Sequence, residues 1–251
     1  MGESITSLDD QAFMLRFLLL LPCLLSFAAA APLPLAEAGR AAWVEDTPAA
    51  TTVRGHPVQG TGLPPKGKEP GVPADTAPLA TLRIDWLNQN PAPEDFEVAV
   101  TKERRIITST HRLGQTGITR TILAAPDAFF LHFVADQPGA ISFKASLSSS
   151  RAGKTTVHDR NELLWTAATD APVKAFARVI PFESDVEVEG NSIILKGEGE
   201  CLVIFTFTAS DRAEKPVSGT WQRLAATLDP GTEHPDPVKI WQTIFARAAA
   251  P

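Results

Sequence analysis

Two neighbouring segments with a strict period of two constrain the fold of this chain more than any other feature. Phe129, Leu131 and Phe133 occupy alternate positions of the first segment. After the turn sequence Gln137-Pro-Gly-Ala140, small polar residues and a lysine alternate with four apolar residues: Ile141, Phe143, Ala145 and Leu147. A period of two is typical of a β-strand with one buried face. We therefore predict a half-buried antiparallel hairpin that belongs to a β-sandwich.

The same kind of segment recurs from Leu79 to Thr208, with turn residues between most segments. The predicted strands are Leu79–Leu87, Phe96–Thr101, Arg105–Leu113, Gly117–Ala124, Ala128–Ala135, Ile141–Ser149, Leu163–Thr169, Val173–Phe182, Ser184–Glu189, Ile193–Lys196 and Cys201–Thr208. Many short strands with regular turns indicate an all-β sandwich or barrel. Residues Leu202–Phe207 are apolar at both parities, so we expect this strand to be central and covered on both sides.

The chain after the strands is predicted to be helical. Residues 79–212 form the predicted β-sandwich domain, and 213–251 a helical C-terminal extension. Pro237–Ala249 is the clearest helix, because proline suits a first turn and apolar residues recur at helical spacing. A weaker second helix is expected over Gly219–Leu228.

Residues 1–31 are predicted to be a signal peptide. The apolar block Met14–Phe27 is followed by Ala28 to Ala31, the usual layout of a cleaved leader. Since the first thirteen residues carry acidic side chains and no lysine or arginine, we expect translation to start at Met14. The protein would then be secreted or periplasmic, with no integral membrane segment after cleavage. A lipoprotein reading of Cys23 is weak, because Pro22 precedes it and the apolar block continues beyond it.

Residues 32–78 are rich in proline and glycine and are predicted to be a mostly irregular linker. A short strand near Ala41–Val44 is the exception. Cleavage near Ala31 leaves Cys201 as the remaining cysteine, so no intramolecular disulfide forms and we expect Cys201 to be a small buried hydrophobe. The net charge of −6 and pI near 5.4 argue against a nucleic-acid-binding surface.

The order of several motifs resembles glycoside hydrolase family 95, the α-L-fucosidases and related exo-acting enzymes. The matching segments are Leu79–Trp86, Arg104-Arg105, Gly117-Ile-Thr-Arg120, Ala125-Pro-Asp127, Val134–Phe143 and His234–Arg247. The resemblance implies the N-terminal β-super-sandwich domain of that family, hence an antiparallel two-sheet super-sandwich. In complete members this domain packs against an (α/α)₆ barrel, which holds the catalytic acid, the general-base machinery and most of the sugar pocket.

The chain also departs from the family pattern. Leu33–Gly39 keeps only the flanks of the family's Gly-Asn-Gly motif, and Glu45-Asp-Thr47 is faintly similar to the next motif. The tyrosine of the family's Tyr-x-Arg strand is absent before Arg120. We therefore expect an incomplete first sheet. Because the chain reaches Pro251 where the barrel would begin, we also expect no catalytic residue.

Four carboxylates at Glu183, Asp185, Glu187 and Glu189 form the most obvious acidic group. Glycoside hydrolysis needs two carboxylates on opposite sides of a bond, whereas this spacing puts all four on one strand face. We interpret them as the solvated face of an edge strand, where charge deters aggregation. A calcium site is the minor alternative, and it lacks a ligand loop.

The histidines give no catalytic or metal site by themselves. His132, between Phe130 and Val134 on one strand face, is either a hydrogen-bonded histidine of a core or interface or, less favoured, a general base. His111 and His158 have no partners at zinc-ligand spacing. We therefore predict no catalytic, cofactor-binding or metal-binding residue, and no cofactor.

The tryptophans are the remaining candidates for function, as platforms on which sugars stack. They are Trp43, Trp86, Trp165, Trp221 and Trp241. Trp165 follows two leucines and is expected in the core. Trp241, on the apolar face of the terminal helix, is expected either to cap the sandwich or to form an exposed docking stripe.

Three interpretations follow. The first is a secreted, non-catalytic sandwich module linked to carbohydrate degradation. The second is one part of a split or truncated α-L-fucosidase, and the third is a stand-alone carbohydrate-binding or interaction module. The expected partner is an (α/α)₆ barrel polypeptide or a carbohydrate, and not a nucleic acid.

Overall fold

The computed structural model describes residues 33–37, 40–57, 77–88, 92–101, 105–125, 128–168, 174–208 and 236–249. The chain divides into two compact units, Met1–Ala30 and Ala31–Pro251. Every described residue lies in the second unit. The predicted signal peptide and the weaker helix over Gly219–Leu228 lie outside the described residues. In the described part of the chain, no helix is long and apolar enough to cross a bilayer.

The described residues form fifteen strands and one helix. These are β1 (Leu33–Glu37), β2 (Arg40–Asp46), β3 (Ala50–Pro57), β4 (Ala80–Trp86), β5 (Pro93–Thr101), β6 (Ile106–Leu113), β7 (Thr116–Ala124), β8 (Phe129–Ala135), β9 (Ile141–Ser148), β10 (Gly153–His158), β11 (Glu162–Ala167), β12 (Lys174–Pro181), β13 (Val186–Glu189), β14 (Ser192–Glu198), β15 (Glu200–Thr208) and α1 (Pro237–Ala249). The predicted terminal helix is confirmed with the same bounds. Strand β10 was not predicted, because its largely exposed sequence carries almost no apolar signal.

The strands form two antiparallel sheets, which confirms the predicted two-sheet all-β fold. Sheet A has seven strands in the order β1-β2-β3-β4-β9-β14-β13. Sheet B has eight, in the order β10-β11-β12-β15-β8-β7-β6-β5. Their inner faces share one apolar core. Within this core Trp86 lies 4.9 Å from Phe133 and 5.7 Å from Phe143 between ring centroids, edge to face in both cases.

The two phased segments of the sequence are strands β8 and β9, but they are not a hairpin. Strand β8 pairs with β7 and β15 in sheet B, whereas β9 pairs with β4 and β14 in sheet A. The turn at Gln137–Ala140 therefore carries the chain across the core from one sheet to the other. The prediction of a hairpin was wrong because a period of two reports which face of a strand is buried and not which strand lies beside it.

The segment before Leu79 is also more regular than predicted. Strands β1, β2 and β3 extend sheet A, and β3 pairs with β4 from Ala50↔Asp85 to Gly55↔Ala80. The prediction of an irregular linker was therefore wrong for the described residues 33–57, while the short strand near Ala41–Val44 is confirmed as part of β2. Proline and glycine content concealed the alternation, and a charged residue, Asp46, occupies one of the inward positions.

Strand β15 is central and buried on both sides, as its sequence predicted. Val203 and Phe205 face the core between the sheets. Leu202 and Ile204 face the other way, into a second apolar cluster that Ile240, Trp241 and Ile244 of α1 complete. The helix therefore covers the outer face of sheet B, as an amphipathic helix must to bury its apolar stripe.

Gly55 on β3 lies close to a ring of the opposite sheet. An ideal Cβ at this position would lie 2.2 Å from Cε1 of Phe207 on β15. The Phe207 ring is itself buried and stacks on Phe129 with centroids 6.2 Å apart. Only a residue without a side chain leaves room for this ring.

Candidate functional site

A buried polar cluster joins the two sheets at one end of the core. Sheet A contributes Asp46 at the end of β2 and Thr51 on β3, and sheet B contributes Ser109 and His111 on β6 and Arg120 on β7. Each of the five is at most 3% exposed. Buried charges of this kind are tolerated only when they are paired and hydrogen-bonded. We call these five residues the inter-sheet cluster.

Asp46 is the acceptor at the centre of the inter-sheet cluster. Its Oδ1 accepts hydrogen bonds from Thr51 Oγ1 at 2.5 Å and from Arg120 Nη1 at 3.0 Å. Its Oδ2 accepts one from Ser109 Oγ. Three donors from both sheets therefore satisfy one carboxylate that water cannot reach.

Arg120 spans the gap between the sheets and is fully engaged at its terminal nitrogens. Besides Asp46, it donates from Nη1 to the carbonyl oxygen of Thr47 at 2.6 Å and from Nη2 to that of Pro48 at 3.1 Å. Both carbonyls belong to the tight turn between β2 and β3, which Thr47 closes by hydrogen bonds with Ala50. Arg120 therefore fixes the turn as well as the carboxylate.

Aromatic rings shield the guanidinium of Arg120. Its Cζ lies 4.1 Å from the Trp86 ring centroid and 5.8 Å from that of Phe96, within the range of a cation–π contact. Burial lowers the pKa of Arg120 and the Asp46 carboxylate opposes that shift. An arginine nevertheless stays charged in a folded protein, so the cluster contains a buried ion pair.

His111 is held neutral in one tautomer. Its Nε2 lies 3.3 Å from Arg120 Nη2. Because a guanidinium nitrogen can only donate, Nε2 accepts and the ring proton resides on Nδ1. Burial, followed by the nearby charge of Arg120, lowers the pKa of His111 to about 4. Among the described residues, neither His111 Nδ1 nor Arg120 Nε has a hydrogen-bond partner.

Phe96 reaches the inter-sheet cluster because of an irregularity in edge strand β5. The register between β5 and β6 shifts between Glu94 and Glu97, and Asp95 has a φ of 52°. Such a bulge turns the following side chain. Phe96 lies 6.1 Å from the His111 ring between centroids and is half-buried, so it separates the cluster from solvent.

The inter-sheet cluster holds the two sheets together, and its geometry does not suit catalysis. A general acid or base must reach a substrate, whereas Asp46 and Arg120 are each 1% exposed at the side chain and use their polar atoms on each other and on the turn. The sequence contained a partial signal for it. Asp46 lies in Glu45-Asp-Thr47 and Arg120 ends Gly117-Ile-Thr-Arg120, two short segments that the fold brings into contact.

His132 is a hydrogen-bonded histidine beneath the terminal helix, as predicted. Its Nε2 lies 2.7 Å from Glu200 Oε1 on β15, and its ring stacks on Trp241 with centroids 4.5 Å apart. Burial lowers the pKa of His132, and Glu200 opposes that shift. Trp241 is 6% exposed and caps the sandwich, so of the two expectations for this residue the cap is the correct one.

Two of the four predicted carboxylates, Glu187 and Glu189, lie on an edge strand as expected. Glu183 and Asp185 lie in the bend before that strand, so the prediction that all four share one strand face was wrong. Strand β13 ends sheet A, and its Glu187 and Glu189 pair with Lys196 at 2.7 Å and Lys144 at 2.8 Å. The bend before β13 is held by Glu198, which the sequence did not single out. Glu198 is fully buried and accepts hydrogen bonds from both backbone N–H groups at 183 and 184 and from Ser184 Oγ.

The remaining candidates are structural in the described part of the chain. Trp86 and Trp165 are buried, Trp43 is half-buried and Trp221 lies outside the described residues. Cys201 is fully buried, as predicted, and burial raises the pKa of its thiol. His158 is exposed and lies 3.1 Å from Thr156 Oγ1. The described residues contain no group of three or more His, Cys, Asp or Glu side chains that could hold a metal ion.

The chain is distantly similar to solved structures. No protein-family model matches the chain, and no curated protein sequence matches it. The chain is similar to the solved structure of a putative kojibiose phosphorylase from the human microbiome, with 14% identity and a TM-score of 0.35. The match covers 87% of this chain and 39% of that one, so the chain spans about two fifths of that protein's length. A similarity of this extent identifies neither a family nor a substrate.

Proposed function

We propose that this protein is a secreted or periplasmic, non-catalytic β-sandwich module of carbohydrate degradation, similar in role to the N-terminal domain of family 95 glycoside hydrolases. The observation that carries the proposal is the contact between Asp46 and Arg120. Arg120 ends one of the segments that resemble the family, and Asp46 lies in Glu45-Asp-Thr47, which is only faintly similar to another family motif. Their pairing joins the two sheets and is the support for this proposal.

The non-catalytic part of the proposal rests on how the buried acidic residues are used. Asp46 is closed in by three donors, and Glu198 by two backbone N–H groups and a hydroxyl. Glu162 is 3% exposed and pairs with Arg178 at 2.6 Å. Although burial raises the pKa of Glu162, as a glycosidase acid requires, the Arg178 guanidinium occupies its carboxylate. None of these three carboxylates is free to protonate a leaving group.

Enzymatic assay of the purified chain tests this proposal directly. We expect no release of fucose from 4-nitrophenyl α-L-fucopyranoside or from 2′-fucosyllactose above the buffer blank. Release of fucose that one carboxylate substitution abolishes would show that the module is catalytic and would overturn the proposal.

A second experiment tests the proposed partner. We expect the chain to bind the catalytic-barrel polypeptide of a family 95 α-L-fucosidase produced without its own sandwich domain. Co-elution in size-exclusion chromatography, or higher barrel activity when the chain is added, supports the scaffold role. A barrel that is active alone and neither co-elutes with the chain nor responds to it contradicts that role.

A further inference from the structure

The two sheets differ in what their outer faces present to solvent. The outer face of sheet B is apolar and lies under α1. The outer face of sheet A carries hydroxyl groups and ion pairs instead, with serines on β9 and the pairs Lys144–Glu189 and Lys196–Glu187 at one edge. An antiparallel sheet with one face in water commonly carries polar residues on that face. One aromatic ring on this face is therefore an exception.

Trp43 is that ring. On β2 the neighbours Ala42 and Val44 are buried in the core, so alternation places Trp43 on the outer face of sheet A. Trp86, Trp165 and Trp241 are all buried, and among the described tryptophans Trp43 alone is half-buried. The structure therefore reduces the candidate sugar platforms to one described residue.

Polar side chains lie beside Trp43 on its own strand and on strands β3 and β4, whereas Pro34 is its partner on β1. Arg54 is its partner across the β2–β3 ladder, and Arg54 Nη1 pairs with Glu45 Oε1 at 2.5 Å. On the next strand, Arg83 Nη2 pairs with Asp85 Oδ1 at 2.6 Å. We call Trp43, Glu45, Arg54, Arg83 and Asp85 the outer patch. They lie on three successive strands, so the patch extends about 10 Å across the sheet.

The pairs of the outer patch are exposed enough to change partners. The side chains of Arg54 and Glu45 are 35% and 34% exposed, and those of Arg83 and Asp85 are 53% and 39% exposed. Ion pairs in such positions contribute little to stability. Their donors and acceptors can therefore turn to the hydroxyl groups of a ligand at small cost, which the buried pair of Asp46 and Arg120 cannot do.

We propose that the outer patch binds a short neutral oligosaccharide, with Trp43 as its stacking platform; this deepens the proposed function and rests on it. The face of an aromatic ring is electronegative and attracts the C–H groups of a sugar ring. Guanidinium and carboxylate groups supply paired donors and acceptors for neighbouring hydroxyls. Two positive and two negative side chains leave the patch without net charge, so an acidic glycan gains nothing from it.

A protein partner fits the outer patch less well. A stable protein interface buries about 800 Å² per partner around an apolar centre, whereas this patch has one aromatic residue among charges. Nucleic acid is disfavoured because its binding requires a positive surface. A carbohydrate is the partner that a single ring within a neutral hydrogen-bonding surface suits.

The test is affinity electrophoresis and calorimetry of the full chain with neutral oligosaccharides and their parent polysaccharides, from β-1,4-glucan, xylan, mannan and fucosylated glycans. We expect at least one to bind. Trp43→Ala should weaken that binding at least tenfold, because the ring supplies the stacking surface. Trp43→Phe, which keeps a ring, should stay within about threefold. Arg54→Met should also weaken binding.

Lys196→Ala is the control, since Lys196 lies on the outer face of the same sheet in a more exposed ion pair, away from the outer patch. It should bind like the wild type. The proposal is wrong if no neutral glycan binds, if Trp43→Ala binds as well as the wild type, or if only an acidic glycan or a protein partner binds. Hydrolysis by the chain would refute the proposed function instead, so the two failures are distinguishable.

Discussion

Replacing Asp46 by Asn tests whether the inter-sheet cluster stabilises the packing of the two sheets. Asn has nearly the same volume, and its amide group can donate to the hydroxyl oxygens of Thr51 or Ser109, so the hydrogen-bond count changes little. What disappears is the counter-charge of Arg120, whose side chain is 1% exposed. Leaving a buried charge without its partner costs about 3–5 kcal/mol. Because the carbonyl oxygens of Thr47 and Pro48 still accept from Arg120, we expect the lower value, about 3 kcal/mol.

The assay is urea unfolding at pH 7 and 25 °C, followed by tryptophan fluorescence. With a slope of roughly 2 kcal/mol per molar urea, the midpoint should fall by about 1.5 M. Arg120→Met should cost more, about 4–6 kcal/mol, since it leaves the buried Asp46 carboxylate without its counter-charge and also removes the donor to two half-buried carbonyl oxygens. If the Arg120→Met variant does not fold, the Asp46→Asn variant still tests whether the cluster stabilises the packing of the two sheets.

A neighbouring ion pair provides the control. Glu45 adjoins Asp46 in the sequence, and its pair with Arg54 is about one-third exposed. Glu45→Gln should therefore change stability by less than about 1 kcal/mol. The reasoning is refuted if Asp46→Asn lies within 1 kcal/mol of the wild type, or if Glu45→Gln is equally damaging.

Three further outcomes follow from the structure. The pKa of His111 falls from its ordinary 6.5 to about 4 on folding, so the unfolded state takes up the proton first and stability is lost as pH falls from about 6.5 to 4. His111→Gln should reduce that loss by up to about 3 kcal/mol, measured as the difference between the two urea stability–pH curves. Gly55→Ala should cost about 2 kcal/mol in urea unfolding because its Cβ meets the buried ring of Phe207, and Phe207→Leu should recover part of the loss if the clash is the cause. The buried thiol of Cys201, whose pKa is raised, should react with a thiol reagent only after unfolding; fast labelling of the native protein would contradict its position.

The sequence predicted which face of each strand is buried, but it did not predict which strands pair with each other. Alternation at Phe129–Phe133 and Ile141–Leu147 correctly placed each apolar face toward the core, because burial is a property of a single strand. Pairing depends on residues far away, such as Thr81, which lies opposite Ser148. Nothing in the local pattern distinguishes a hairpin from a crossing between sheets.

The inter-sheet cluster was hidden for a related reason. A charged residue at an inward position, such as Asp46, interrupts the apolar alternation and makes a strand look like a loop. Its burial is favourable only when Arg120, from a different sheet, completes the pair. Asp46 and Arg120 each belong to a short motif of the sequence, but their pairing follows only from the fold. His111 was considered only as a metal ligand, and its contact with Arg120 could not be read from spacing.

The turn at Gln137–Ala140 also has a consequence for how the chain folds. Because it separates β8 from β9, these two strands do not pair with each other. Strand β8 keeps its sequence neighbour β7, but its other partner, β15, and both partners of β9 come from distant parts of the chain. Cys201 comes to lie opposite Phe133, and Leu82 opposite Leu147. Closing such long loops costs entropy before any contact rewards it. Folding should therefore be slow, on the order of milliseconds to seconds, and the two sheets should appear together rather than one after the other.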